Sequence, residues 1–142
     1  MMPVLTRSQS ALVETPEWGT DVTDYNTVDV INFVLPGEKH FPGARYLGPG
    51  TNLSERLEAD GVTPKPGNEP VDRVDEAAWR HDIAYTLNPD LRSRVRADRV
   101  MIESLMHIQN PTCRERMERF FAIPILAIKY CFESLFLKLF YR

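Results

Sequence analysis

Two stretches of this chain carry an apolar stripe at helical spacing, and one ionisable residue interrupts each stripe at its centre. Val74, Ala78, His81 and Tyr85 recur at intervals of four, three and four, one face of a helix with about 3.6 residues per turn. Leu91, Val95, Asp98, Ile102 and Leu105 form the second stripe. Asn88-Pro89 lies between them, and a residue before proline resists the α region, so the two helices are joined by a short turn. Helices joined this way pack antiparallel, midpoint against midpoint, which brings His81 to Asp98. A carboxylate on an apolar face is costly unless it is paired and hydrogen-bonded. Accepting from one ring nitrogen of His81 would offset that cost, fix the tautomer and leave the other nitrogen as a free base. Taken alone, the pair is open to two readings, a satisfied core histidine or a proton acceptor.

The punctuation around these segments predicts helices over 72–86, 91–108 and 113–140. Asp72, Asp75 and Glu76 place negative charge in the first turns after Pro70, which suits the helix macrodipole. Asp90 reads as the N-cap of the second helix, and Asn110-Pro111 ends it. The third helix should bend at Pro124. Ala77, Ala78 and Ala84 are small enough to allow close helix approach. Residues 41–70 are dense in glycine and proline, with one helical turn expected near Asn52–Leu57. Residues 1–40 read as an irregular arm, in which Val28–Val34 is either a short strand or an extended apolar segment. The fold expected is therefore mainly α: an arm (1–40), a core (41–108) with two antiparallel helices and a glycine-rich loop, and a hydrophobic C-terminal helix (109–142).

Asp82 follows His81 and sits about 100° round the helix, so it faces the neighbouring side. The turn Tyr46-Leu47-Gly48-Pro49-Gly50 would lie there, its glycines letting several backbone carbonyls converge. One carboxylate with carbonyls and water is the oxygen-rich donor set that calcium takes, roughly six to eight ligands in all. His40 and His107 have no partners at metal-ligand spacing and read as surface or structural residues, and no zinc site is expected.

Net charge is −3 over 142 residues, so no global field draws the chain to nucleic acid. Cys113 and Cys131 are too few for a disulfide scaffold and read as free thiols. Met1–Ala11 holds one basic residue and no sustained apolar run, so no signal peptide is expected.

Tyr46-Leu47-Gly48-Pro49-Gly50-Thr51, Gly67–Asp72, Asp75–Ala78, His81-Asp82-Ile83-Ala84-Tyr85 and Ala97-Asp98, taken in this order, closely resemble the phospholipase A2 domain of parvovirus minor capsid proteins. The resemblance spans roughly residues 41–107. It implies a calcium-dependent phospholipase A2, a carboxylic ester hydrolase that cuts the sn-2 ester of membrane phospholipids to a lysophospholipid and a fatty acid. It further implies His81 as general base, Asp98 as its support, Tyr85 as a hydrogen-bond donor to Asp98, and the Gly48 amide in the oxyanion hole. Ca²⁺ would be held by the carbonyls of Tyr46, Gly48 and Gly50 with the Asp82 carboxylate. The setting implied is a virion whose capsid protein breaches the host endosomal membrane. Two departures from the family pattern stand out. Thr86 follows Tyr85 where the family often has an acidic residue, and the connection Thr86–Asp90 is short. The alternative is a catalytically silent membrane-binding or assembly module that keeps the same fold.

The third helix has a nine-residue uncharged stretch, Phe120–Ile128, short of the about 20 residues a bilayer requires, so no transmembrane helix is expected. Lys129 and Glu133, four apart, mark one polar edge. So greasy a surface is expected to pack on the domain, self-associate into a homo-oligomer, or lie in a membrane interface.

Overall fold

The computed structural model describes residues 38–141; most of the arm, including Val28–Val34, lies outside the described residues. Four helices are present among the described residues: α1 (Leu53–Arg56), α2 (Arg73–Leu87), α3 (Leu91–His107) and α4 (Cys113–Phe140). Together they make the protein mainly helical, as expected. Among the described residues, Leu57 and Pro64 form an isolated antiparallel bridge.

Each long helix begins at a side-chain cap. Asp72 accepts from the Asp75 amide at 2.8 Å, and Asp90 accepts from that of Ser93 at 3.0 Å. Thr112 and Glu115 form a reciprocal capping box at the start of α4. Pro124 lies inside α4 without interrupting it. The missing amide there costs one backbone hydrogen bond, which a helix this long absorbs.

The core is small. Val74, Ala77, Ala78 and Ile83 of α2 meet Met101 and Leu105 of α3, with Tyr46, Leu47, Leu57 and Val62 of the loop region closing one side. Buried ion pairs do much of the remaining joining. Arg56 is fully buried and reaches Glu38 at 2.7 Å; Arg73 reaches Glu115 at 2.7 Å, tying the start of α2 to the first turn of α4. Breaking such a pair leaves an uncompensated charge in a dry place, which locks both elements in register.

α4 is divided lengthwise. Ala122, Ile123 and Leu126 pack against the core, while Phe120, Ile125 and Phe132 are each about two-thirds exposed or more (74, 67 and 72%). By length and composition this helix is long and apolar enough to cross a membrane. The expectation of no transmembrane helix rested on the charge-free run alone, and that argument is too narrow. One flank of α4 is nonetheless committed to the domain, through Glu115 and through Arg119, which donates to the Leu105 carbonyl at 2.9 Å.

Candidate active site

The two ionisable residues at the centres of the α2 and α3 stripes meet. His81 Nε2 lies 2.6 Å from Asp98 Oδ1, and Asp98 is completely buried. Tyr85, one turn after His81, donates its hydroxyl to the same Asp98 oxygen. The other carboxylate oxygen accepts from Lys129 Nζ of α4 at 2.6 Å. Lys129 also donates to the Tyr85 hydroxyl and to Glu133, the latter at 3.0 Å.

These contacts set the charges. Burial acts to raise the Asp98 carboxyl, but hydrogen bonds from His81, Lys129 and Tyr85 outweigh it and hold the group below the usual carboxylate range. Burial acts to lower His81, yet Asp82 and Asp98 hold it above the ordinary imidazole value. Burial and the Asp98 charge push the Tyr85 hydroxyl up to about 12, so it stays a donor. Burial disfavours the Lys129 cation, but Asp98, Tyr85 and Glu133 more than compensate and raise it. The pair is thus an ionised carboxylate with three donors and an imidazole whose Nδ1 faces away.

That open nitrogen lies 3.6 Å from Asp82 Oδ1, too long for a hydrogen bond. Asp82 Oδ2 is buried without a hydrogen-bond partner among the described residues. The glycine turn completes this side. Gly48 has φ +143°, and a Cβ there would lie 2.2 Å from the Lys39 carbonyl oxygen and 2.7 Å from His40 Cα, so no other residue fits. The carbonyls of Tyr46 and Gly48 converge on the Thr51 hydroxyl at 3.4 and 3.5 Å, contacts at the outer limit that leave lone pairs available. Gly48→Ala is expected to cost about 1–3 kcal/mol of stability from backbone strain and to displace the turn, which urea unfolding would register.

Asp75 holds that turn in place. Its fully buried carboxylate accepts from the amides of Arg45 (3.1 Å), Tyr46 (2.8 Å), Leu47 (2.9 Å) and Val71 (3.1 Å). Burial pushes this carboxyl up to about 6, against the pull of the amides, so at neutral pH it is ionised and accepts from all four. Tyr46 is wholly buried and donates its hydroxyl to the Asn68 carbonyl at 2.7 Å, a second strut.

His81, Asp82, Tyr46, Gly48 and Gly50 all line one cavity of about 710 Å³. Its apolar wall is α4: Phe121, Ala122, Ile125 and Leu126. Every residue singled out from the sequence for this site therefore lies on the cavity or, for Asp98, directly behind it. His40, expected to be surface or structural, lines the cavity as well and braces the turn through Thr51 at 3.0 Å.

Three contributions were missed by sequence reasoning. Asp75 looked like a first-turn charge, Lys129 like half of an i,i+4 polar edge, and α4 was expected to pack on the domain, self-associate or meet a membrane, without being placed against the site.

A family model described as the phospholipase A2-like domain matches residues 37–117. The chain belongs to that family. The match to this phospholipase A2-like domain ends within the first turns of α4, so the α4 residues that wall the cavity all lie beyond it. No curated protein and no solved structure matches the chain.

Proposed function

We propose that this phospholipase A2-like protein is a calcium-dependent phospholipase A2 that hydrolyses the sn-2 ester of membrane phospholipids. The observation that carries the reading is the His81–Asp98 contact at 2.6 Å, with the opposite imidazole nitrogen open toward Asp82 and the glycine turn. A buried pair serving structure alone would gain nothing from a cavity on its open side.

A water molecule on the Nδ1 side of His81 attacks the sn-2 carbonyl carbon, and His81 takes its proton. Asp98 keeps the imidazole in the tautomer with the proton on Nε2 and stabilises the imidazolium that forms. The Gly48 amide donates to the developing oxyanion. Collapse of the tetrahedral intermediate breaks the bond to the glycerol oxygen, and His81 returns its proton to that oxygen. A lysophospholipid and a fatty acid leave.

The donor set suits calcium. Asp82 supplies an unpartnered carboxylate oxygen, and the carbonyls of Tyr46, Gly48 and Gly50 would complete the protein's share. When bound, the cation supplies positive charge to the substrate phosphate and the oxyanion.

The substrate surface would be met by α4. Phe121 and Ile125 line the cavity and are also more than half exposed, so the apolar face of the helix runs continuously into the site. This continuity favours a lipid surface over self-association. We infer the setting that the sequence resemblance implies, a parvoviral capsid protein acting at the endosomal membrane, from that resemblance alone.

The test is fatty-acid release from phosphatidylcholine vesicles with calcium or with a chelator. Release should fall by about 10²-fold or more on chelation, in line with the loss of an electrostatic oxyanion stabiliser. Release that survives the chelator removes the calcium role. Vesicle binding with no release by the wild type points instead to a silent membrane-binding module.

A further inference from the structure

We propose that Lys129 is a positioning residue for the catalytic pair, so that α4, the lipid-facing helix, also completes the site it covers. The inference rests on His81 being the general base. Asp98 is fully buried, and two donors, His81 Nε2 and the Tyr85 hydroxyl, already crowd its Oδ1. Lys129 is the donor on Oδ2, at 2.6 Å. Without it, one carboxylate oxygen sits in a dry place with no partner, and the group is free to rotate about its own axis. The orientation handed to His81 then blurs.

Surface pairing does not account for this arrangement. Lys129 has Glu133 one turn away at 3.0 Å, and that contact alone would satisfy a helix-surface lysine. The ammonium is instead shared among Glu133, the Tyr85 hydroxyl and Asp98, and it stacks 4.9 Å from the Tyr85 ring centroid. Its charge balances the buried Asp98 carboxylate, so that carboxylate stays ionised and goes on accepting from His81 Nε2. Residues Phe121, Ala122, Ile125 and Leu126 of the same helix wall the cavity, so any displacement of α4 would open the wall and withdraw the ammonium together.

The experiment compares the full chain with Lys129→Met and Lys129→Arg, assayed on mixed micelles, alongside ¹⁵N NMR of labelled histidine in the presence of a chelator. Lys129→Met should lower kcat by about 10- to 100-fold, the usual effect of losing a group that orients a catalytic ligand. KM should stay within about twofold, because no substrate contact is removed. Lys129→Arg, which retains the charge, should recover most of the loss. The neutral imidazole of His81 should carry its proton on Nε2 in the wild type and in Lys129→Arg, and show mixed tautomers in Lys129→Met. Unchanged kcat in Lys129→Met, an equal loss in both variants, or a rise in KM alone would overturn the proposal. Should wild-type activity be absent, the base assignment fails by itself, and the tautomer measurement still decides whether Lys129 orients the pair.

Discussion

Replacing His81 with alanine should lower fatty-acid release by about 10³-fold, within the range general-base removal produces, while leaving the protein folded. The second half of that expectation comes from what remains. Asp98 keeps Tyr85 on one oxygen and Lys129 on the other, so no buried charge is orphaned. The cost should be that of one charged hydrogen bond, about 1.5–3 kcal/mol. Asp98→Asn provides the contrasting case. Its amide would present a donor to Lys129 or to His81, neither of which has a lone pair to offer in the required tautomer. It should lose activity as deeply as His81→Ala, and the double variant should be hardly worse than either single one, because the two residues act as a unit. Thermal melts and release assays on all three variants check this. Activity of His81→Ala within tenfold of wild type would show that the imidazole is a core residue after all.

The contact between His81 and Asp98 was legible because it obeys a rule of periodicity. One ionisable residue per apolar stripe, on two helices joined through Asn88-Pro89, leaves little freedom in where the pair must meet. Helix bounds were legible for the same kind of reason. The ranges 72–86, 91–108 and 113–140 differ from Arg73–Leu87, Leu91–His107 and Cys113–Phe140 by a residue at most, since capping side chains and prolines stop helices locally. What stayed hidden depends on contacts between residues far apart in the chain. Arg56 and Glu38, or Arg73 and Glu115, are charged residues that composition would place in solvent, yet they are buried pairs joining separate segments. Lys129 had a sufficient local partner in Glu133, and so gave no reason to look 31 residues back to Asp98. The cavity wall was hidden because α4 could be placed against the core only once Glu115 and Arg119 fixed its direction.

Asp75→Ala should abolish activity and also destabilise the fold by about 3–5 kcal/mol, the largest stability effect expected of any single change near the site. No apolar stripe identifies this residue, and the resemblance takes in Asp75–Ala78 without giving Asp75 a role. It sits in the first turn of α2, where a carboxylate is ordinarily worth a few tenths of a kcal/mol against the macrodipole. Here it gathers four amides, three of them from the consecutive residues Arg45, Tyr46 and Leu47. Those three amides converge on one carboxylate, which fixes the path of the turn that carries the Tyr46 and Gly48 carbonyls. Removing the carboxylate strands buried donors, each costing about 1–3 kcal/mol if it stays dry. The turn must then unfold toward water to satisfy them, taking the carbonyls of Tyr46 and Gly48 with it. Asp75→Asn separates the two effects. It preserves shape but presents an NH₂ group where an acceptor is needed, so it should retain more stability than Asp75→Ala yet bind calcium at least tenfold more weakly than wild type, about 1.4 kcal/mol of binding free energy. Calorimetric calcium titration beside urea unfolding measures both quantities. If Asp75→Asn binds calcium as the wild type does, then Asp75 serves the fold alone, and the convergence of the carbonyls has another cause.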